Sequence, residues 1–261
     1  MARVPDLPVQ RFRARDGVEL AYRELGEGRP LVLIHGFVST SYVNWVKYGH
    51  AARLAEAGYR VVMPDLRGHG DSARPHDRAA YPPDVLVDDG FALLEHLGIG
   101  PGTSFDLGGY SLGGRTTMRM LVRGCVPERA VIAGMGLDNI TTTGRSTAWF
   151  RKLLTNYGSF AHGDPEFMAQ AFIKTVDGDP EALLRVIEAS VDTTREEIAA
   201  VAVPILVLMG DQDDDHGSGS DLAELLPHGT YRTVPGSHMG AVAQPELGAA
   251  IADWLGPAPR G

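Results

Sequence analysis

Cysteine is almost missing from this chain: Cys125 is the single one among 261 residues. No disulfide can close within the chain, and no cysteine-rich metal site can be assembled. Positive charge is in deficit too, with 24 Lys and Arg against 33 Asp and Glu for a formal charge of −9. Binding to phosphate backbones needs clustered basic residues, and none are found, so a nucleic-acid partner is not expected. No apolar run approaches the length of a membrane span. The start, Met1 to Gln10, carries Arg3, Asp6 and two prolines where a signal peptide would have an apolar core. The expectation is a cytoplasmic protein with a small-molecule partner and no membrane contact.

What is present is ordinary globular composition, 44% hydrophobic and 22% charged. A chain of this length can bury one large core and still accommodate an insertion. Phe12 to Ala14 and Val18 to Leu25 alternate around Asp16-Gly17, which predicts a hairpin and an antiparallel start to the sheet. Buried apolar runs follow at Leu31 to Ile34, Arg60 to Met63, Thr103 to Gly108, Ala130 to Ala133 and Ile205 to Met209, with a last strand over Tyr231 to Val234. Each run is too short for a core helix. Between and after them, Trp45 to Ala57, Asp84 to Leu97, Leu112 to Val122 and Pro245 to Leu255 have helical spacing. Strands alternating with helices predict an α/β fold with a mostly parallel sheet covered on both faces.

The rhythm breaks between Asp138 and Ala202, where Trp149, Phe150, Tyr157, Phe160, Phe167 and Phe172 lie on helical patterns without a convincing strand. This stretch, 138–202, is expected to be a helical cap inserted into a core made of 1–137 and 203–261. Most of its aromatics should pack the cap's own interior. Trp149, Phe150 and Phe172 are the candidates for facing a pocket.

The pentapeptide Gly109-Tyr110-Ser111-Leu112-Gly113 follows a predicted strand and opens a predicted helix. A serine on such a turn is exposed as a nucleophile, with the glycines permitting the tight backbone. A serine hydroxyl at neutral pH needs a base within hydrogen-bond reach and a third group to orient that base. Asp213, in Gly210-Asp211-Gln212-Asp213, and His238, in Pro235-Gly236-Ser237-His238, each follow a late predicted strand and supply both in the order Ser, Asp, His. Asp211, Asp214, Asp215 and, after another strand, Asp138 are alternatives for the acid, and His216 and His228 for the base. The run Asp213-Asp214-Asp215-His216 reads as a solvated acidic loop and not as a metal site, because serine hydrolysis requires neither metal nor cofactor.

With these residues in view, the chain resembles the α/β-hydrolase superfamily over nearly its full length. Four signatures carry the resemblance: Leu33-Ile34-His35-Gly36-Phe37, the loop Pro64-Asp65-Leu66-Arg67-Gly68-His69-Gly70-Asp71-Ser72, the Ser111 turn, and the late Asp213 and His238. The resemblance implies an eight-stranded sheet and an oxyanion hole made by the backbone N–H groups of Phe37 and Leu112. It implies a bracing role for Asp65, Arg67, His69 and Asp71. One departure is that only Ser237 separates Pro235-Gly236 from His238, one residue fewer than in many relatives. Serine at the turn disfavours the dehalogenases and epoxide hydrolases of this superfamily, which carry aspartate there. The expected activity is cleavage of a small, largely apolar carboxylic ester. A lactonase, a thioesterase, a carbon–carbon bond hydrolase and a cofactor-free perhydrolase or haloperoxidase would use the same residues. A small-molecule receptor that keeps the three residues but signals through its cap is the alternative of another class, and turnover separates the two.

Overall fold

The computed structural model describes residues 6–258, apart from the side chains of Arg145 and Ser146. Eight strands form one sheet: β1 (Gln10–Arg13), β2 (Glu19–Leu25), β3 (Arg29–Ile34), β4 (Tyr59–Asp65), β5 (Asp106–Tyr110), β6 (Arg129–Ala133), β7 (Ile205–Gly210) and β8 (Gly229–Val234). Their order across the sheet is β1-β2-β4-β3-β5-β6-β7-β8. β1 and β2 pair antiparallel, as do β2 and β4, and every other pair is parallel. The first hairpin turns at Gly17, whose φ of 86° suits glycine.

Eleven α-helices connect and cover the strands among the described residues: α1 (His50–Glu56), α2 (Val85–His96), α3 (Leu112–Val122), α4 (Leu137–Thr141), α5 (Gly144–Thr155), α6 (Phe167–Thr175), α7 (Pro180–Glu188), α8 (Arg195–Ala199), α9 (Gly219–Leu225), α10 (His238–Ala241) and α11 (Pro245–Leu255). The single helix expected over Trp45 to Ala57 is divided into a π-helical turn at Tyr42–Val46 and then α1. Gly49, at φ 81°, breaks it.

Alternation along β3 shows why the central strands read as continuous apolar runs. Leu31 and Leu33 pack on one face with Val61, Met63, Trp45 and Leu247, while Val32 and Ile34 pack on the other with Leu93, Leu107 and Met120. Both faces are covered by helices, so neither has room for a polar residue. The last strand before Ser111 begins and ends later than the sequence suggests, because Gly108 and Gly109 lie inside it as fully buried strand residues. Glycine normally marks a strand's end. Here the close approach of α3 requires it at Gly109, and Val131 of β6 and Leu33 of β3 crowd Gly108.

Between β6 and β7 the chain is helical. Leu137, Ile140, Ile198 and Val201, at the two ends of this stretch, pack with Ile132 and Ile205 of the sheet. Leu153, Leu154, Ile173, Leu183 and Ile187, in its middle, form a separate cluster with Val38. No described helix is long and apolar enough to cross a membrane.

Candidate active site

After β3 the chain crosses to one side of the sheet, and after β5 to the other, so a crevice opens at the carboxyl ends of these two neighbouring strands. Phe37 follows β3 and Ser111 follows β5. Topology alone therefore puts the two turns side by side.

Ser111 has φ 54° and ψ −115°, a backbone conformation that side-chain-bearing residues rarely adopt. Its N–H donates to Ala133 O at 2.8 Å, and its carbonyl accepts from Arg115 N at 3.0 Å, which fixes the turn at both ends. The flanking glycines are required by space. A Cβ on Gly109 would lie 2.2 Å from Gly113 C, and one on Gly113 would lie 2.1 Å from Ile34 O.

His238 comes from the loop after β8, at the start of α10, and its Nε2 lies 3.0 Å from Ser111 Oγ. Its Nδ1 lies 2.8 Å from Asp213 Oδ2, in the loop after β7. The loop holding the histidine is braced by Tyr110, whose hydroxyl donates to His238 O at 2.6 Å, and by Asp211, which accepts from Gly236 N at 2.8 Å. Of the other acids, Asp138 accepts from Ser218 N at 3.3 Å and bonds to neither imidazole. His228 takes no part in the cluster.

His216, the alternative base, does take part, but beside His238 and not in its place. Its Nδ1 lies 2.6 Å from Asp213 Oδ1, so the one carboxylate serves two imidazoles through its two oxygens. The two rings stack with centroids 3.4 Å apart and planes 10° from parallel. Burial disfavours the Asp213 carboxylate, yet hydrogen bonds from His216 and His238 outweigh it and hold the group down to about 2. Burial pulls His238 below its ordinary value, the Asp213 hydrogen bond opposes this, and His216 adds to the lowering. His238 is therefore neutral near pH 7 and able to accept a proton. Asp213, His216 and His238 also make the one described group with enough close donor atoms to hold a metal ion. The stacked rings, however, cannot both aim an in-plane lone pair at one point.

The loop after β3 is held from below by two buried histidines. His35 Nε2 accepts from Leu66 N at 3.0 Å while its Nδ1 donates to Gly36 O at 2.7 Å. His69 Nε2 accepts from Val38 N at 3.3 Å while its Nδ1 donates to Arg67 O at 3.0 Å. These partners require both rings to be neutral, and burial agrees by lowering His35 and taking His69 down to about 3. Asp65 accepts from Ser41 N and Asp71 N, at 2.7 and 3.0 Å, and Arg67 spans Asp89 and Asp16. Among the described residues, no hydrogen bond is donated by the backbone N–H of Phe37 or of Leu112.

The resulting cleft holds about 670 Å³ of empty space, part of it open to solvent, and Ser111, Leu112, Phe37 and His238 line it. Phe150 of α5 lines it as well, meeting the Phe37 ring edge-on at 4.7 Å. Trp149 does not; it packs on the far edge of Phe150 at 4.8 Å and is 38% exposed. Phe172 lies in the cluster around Leu153 and Ile173, because α6 turns its apolar side to α5 and α7. Met135, Asn139, Ile187, Ser190 and Arg115 line the cleft without having stood out in the sequence. For Arg115 the available signal was its place one helical turn after Ser111.

Residues 29–176 match the family model described as the alpha/beta hydrolase fold. An epoxide hydrolase of Caballeronia sordidicola is 40% identical over 86 residues, 33% of this chain and 25% of that protein, so the match spans about a quarter of the relative's length. A non-heme chloroperoxidase of Kitasatospora aureofaciens is 28% identical over 273 residues, covering 88% of this chain and 92% of the relative. Among solved structures, a hydrolase from Pseudomonas aeruginosa superposes with a TM-score of 0.75 at 23% identity, covering 97% of this chain and 100% of the other.

Proposed function

The chain belongs to the alpha/beta hydrolase family, and from that premise we propose that it is a serine hydrolase that cleaves a carboxylic ester through an acyl-enzyme on Ser111. The observation that carries this reading is the continuous relay from Ser111 Oγ to His238 Nε2 at 3.0 Å and from His238 Nδ1 to Asp213 at 2.8 Å.

In the proposed mechanism Ser111 Oγ attacks the ester carbonyl carbon as its proton passes to His238 Nε2. Asp213 remains ionised and accepts from Nδ1, which favours the imidazolium. The carbonyl oxygen gains negative charge beside the N–H groups of Phe37 and Leu112, where fixed donors stabilise it more than they did the ester; one such donor is worth roughly 3 kcal/mol. Collapse of the tetrahedral intermediate breaks the carbon–oxygen bond, and the departing alkoxide takes the proton from His238. Water then repeats the sequence on the acyl-enzyme, releasing the acid and restoring Ser111. No metal or cofactor enters these steps. We further assign the helices between β6 and β7 a capping role, with Phe150 as the cap's aromatic wall on the cleft.

A second reading, peroxide attack on the same acyl-enzyme to give a peracid, is favoured by the chloroperoxidase match, which spans most of both chains. Epoxide opening has less support, since the position that would need a carboxylate nucleophile holds Ser111. The deciding experiment is turnover of 4-nitrophenyl acetate and of longer acyl chains, with and without peroxide, by wild type and Ser111→Ala. Loss of turnover in the variant is expected, and equal turnover would refute the mechanism.

A further inference from the structure

We propose that the substrate of the Ser111 site carries a carboxylate, and that Arg115 is the cation that receives it. The inference rests on the ester-hydrolase reading above and names the class of ester: a half-ester whose acyl chain ends in a carboxylate a few carbons from the scissile carbonyl.

Arg115 is 7% exposed and lines the cleft together with Ser111, Asn139, Thr147 and Ser190. It stands four residues after Ser111 on α3, a rise of about 6 Å, so both side chains address the same space. A guanidinium removed this far from water needs a paired anion, or its desolvation goes uncompensated. This one has none among the described residues: its described hydrogen bond runs from Nη2 to the carbonyl of Asn139, and its buried Nε meets no partner among them. No carboxylate among the described residues lies within ion-pair distance of it. Asp192 is near enough to favour its charge, but accepts from Thr143 N at 2.7 Å. The other buried arginine among the described residues, and a half-buried one, are treated differently. Arg67 is clasped by Asp89 and Asp16, and Arg119 by Asp84.

Burial weakens the Arg115 cation, drawing it down to about 10, yet it stays charged at neutral pH. A guanidinium fork that is charged at neutral pH, has no carboxylate partner among the described residues and faces the cleft fits a carboxylate by shape and charge. The hydroxyls of Thr147 and Ser190 offer further donors at the same wall. The apolar side chains of Leu112, Ile187 and Phe150 leave room for the connecting carbons.

The test compares 4-nitrophenyl hemiglutarate with 4-nitrophenyl hexanoate, which has the same length and no charge. Wild type should favour the half-ester at least tenfold in kcat/KM. Arg115→Gln should reduce that ratio at least tenfold, and Arg115→Lys should keep part of it. In parallel, glutarate alone should raise the melting temperature of wild type and leave that of Arg115→Gln unmoved. Ser111-dependent hydrolysis of the hexanoate without preference for the half-ester overturns this inference and leaves the ester reading standing. No hydrolysis of either ester, with glutarate still stabilising wild type alone, overturns the ester reading and leaves Arg115 as an anion site. A glutarate effect equal in wild type and Arg115→Gln overturns the assignment.

Discussion

Replacing Ser111 by alanine and by glycine separates the chemistry of the turn from its conformational cost. Both variants lose the hydrogen bond between Oγ and His238 Nε2, 3.0 Å long, worth about 1 kcal/mol net. Alanine keeps a Cβ at φ 54°, ψ −115°, and so keeps the strain, which is about 1–3 kcal/mol for a residue other than glycine in such a region. Glycine releases it, but restores about 0.5–1 kcal/mol of backbone freedom to the unfolded chain. Taking about 2 kcal/mol for the strain, the glycine variant should be more stable than the alanine variant by about 1 kcal/mol and close to wild type. For a chain of this size that is a difference of about 2–4 °C in melting temperature. Urea and thermal unfolding measure it, while release of 4-nitrophenolate from the acetate ester should fall in both variants by at least about 10³-fold. An alanine variant as stable as the glycine variant would refute the claim that the turn is strained.

Two other outcomes follow from the site and its foundations. His238 must be neutral to act as the base, and its proton affinity is lowered, so kcat/KM should rise with pH through a midpoint below 6.5 and then level off; a midpoint at or above 7 in a pH-rate profile would contradict this. Arg67→Met strands the buried Asp89 carboxylate and should cost about 3–5 kcal/mol, roughly 10 °C in melting temperature, with much of the loss recovered when Asp89→Leu is added; no recovery in the double variant would show that the pair is not coupled.

The family and its sheet were legible because period and chain order are local properties that survive without coordinates. Short apolar runs separated by amphipathic stretches leave few architectures, and Gly-x-Ser-x-Gly at a strand-to-helix junction narrows them further. Chain order also proposed Ser111, Asp213 and His238 as partners, and their side chains come within hydrogen-bond reach. Phe37 and Leu112 were drawn from resemblance, and both line the cleft. What stayed hidden depends on long-range packing. Whether Trp149, Phe150 or Phe172 turns inward is decided by how α5 and α6 each pack against α7, and nothing in the spacing of the three residues sets those angles. His216 read as part of a solvated acidic loop, since its proximity to His238 arises only when the loops after β7 and β8 fold together. Arg115 was not singled out in the sequence, and the lack of a paired carboxylate for it among the described residues is visible only once their side chains have positions.

Ser111 and Asp213 sit on loops of interior strands, but His238 follows β8, which pairs with β7 alone and leaves Tyr231 42% exposed. An edge strand has neighbours on one side to hold it, and such elements open more readily than the core to which they are attached. The proposed base is therefore tethered to an edge of the sheet, while the nucleophile stands at its centre. Fraying of that ribbon on heating is expected to separate imidazole from hydroxyl while β3, β5 and β6 are still paired, so ester hydrolysis should be lost at a lower temperature than the cooperative unfolding of the sheet.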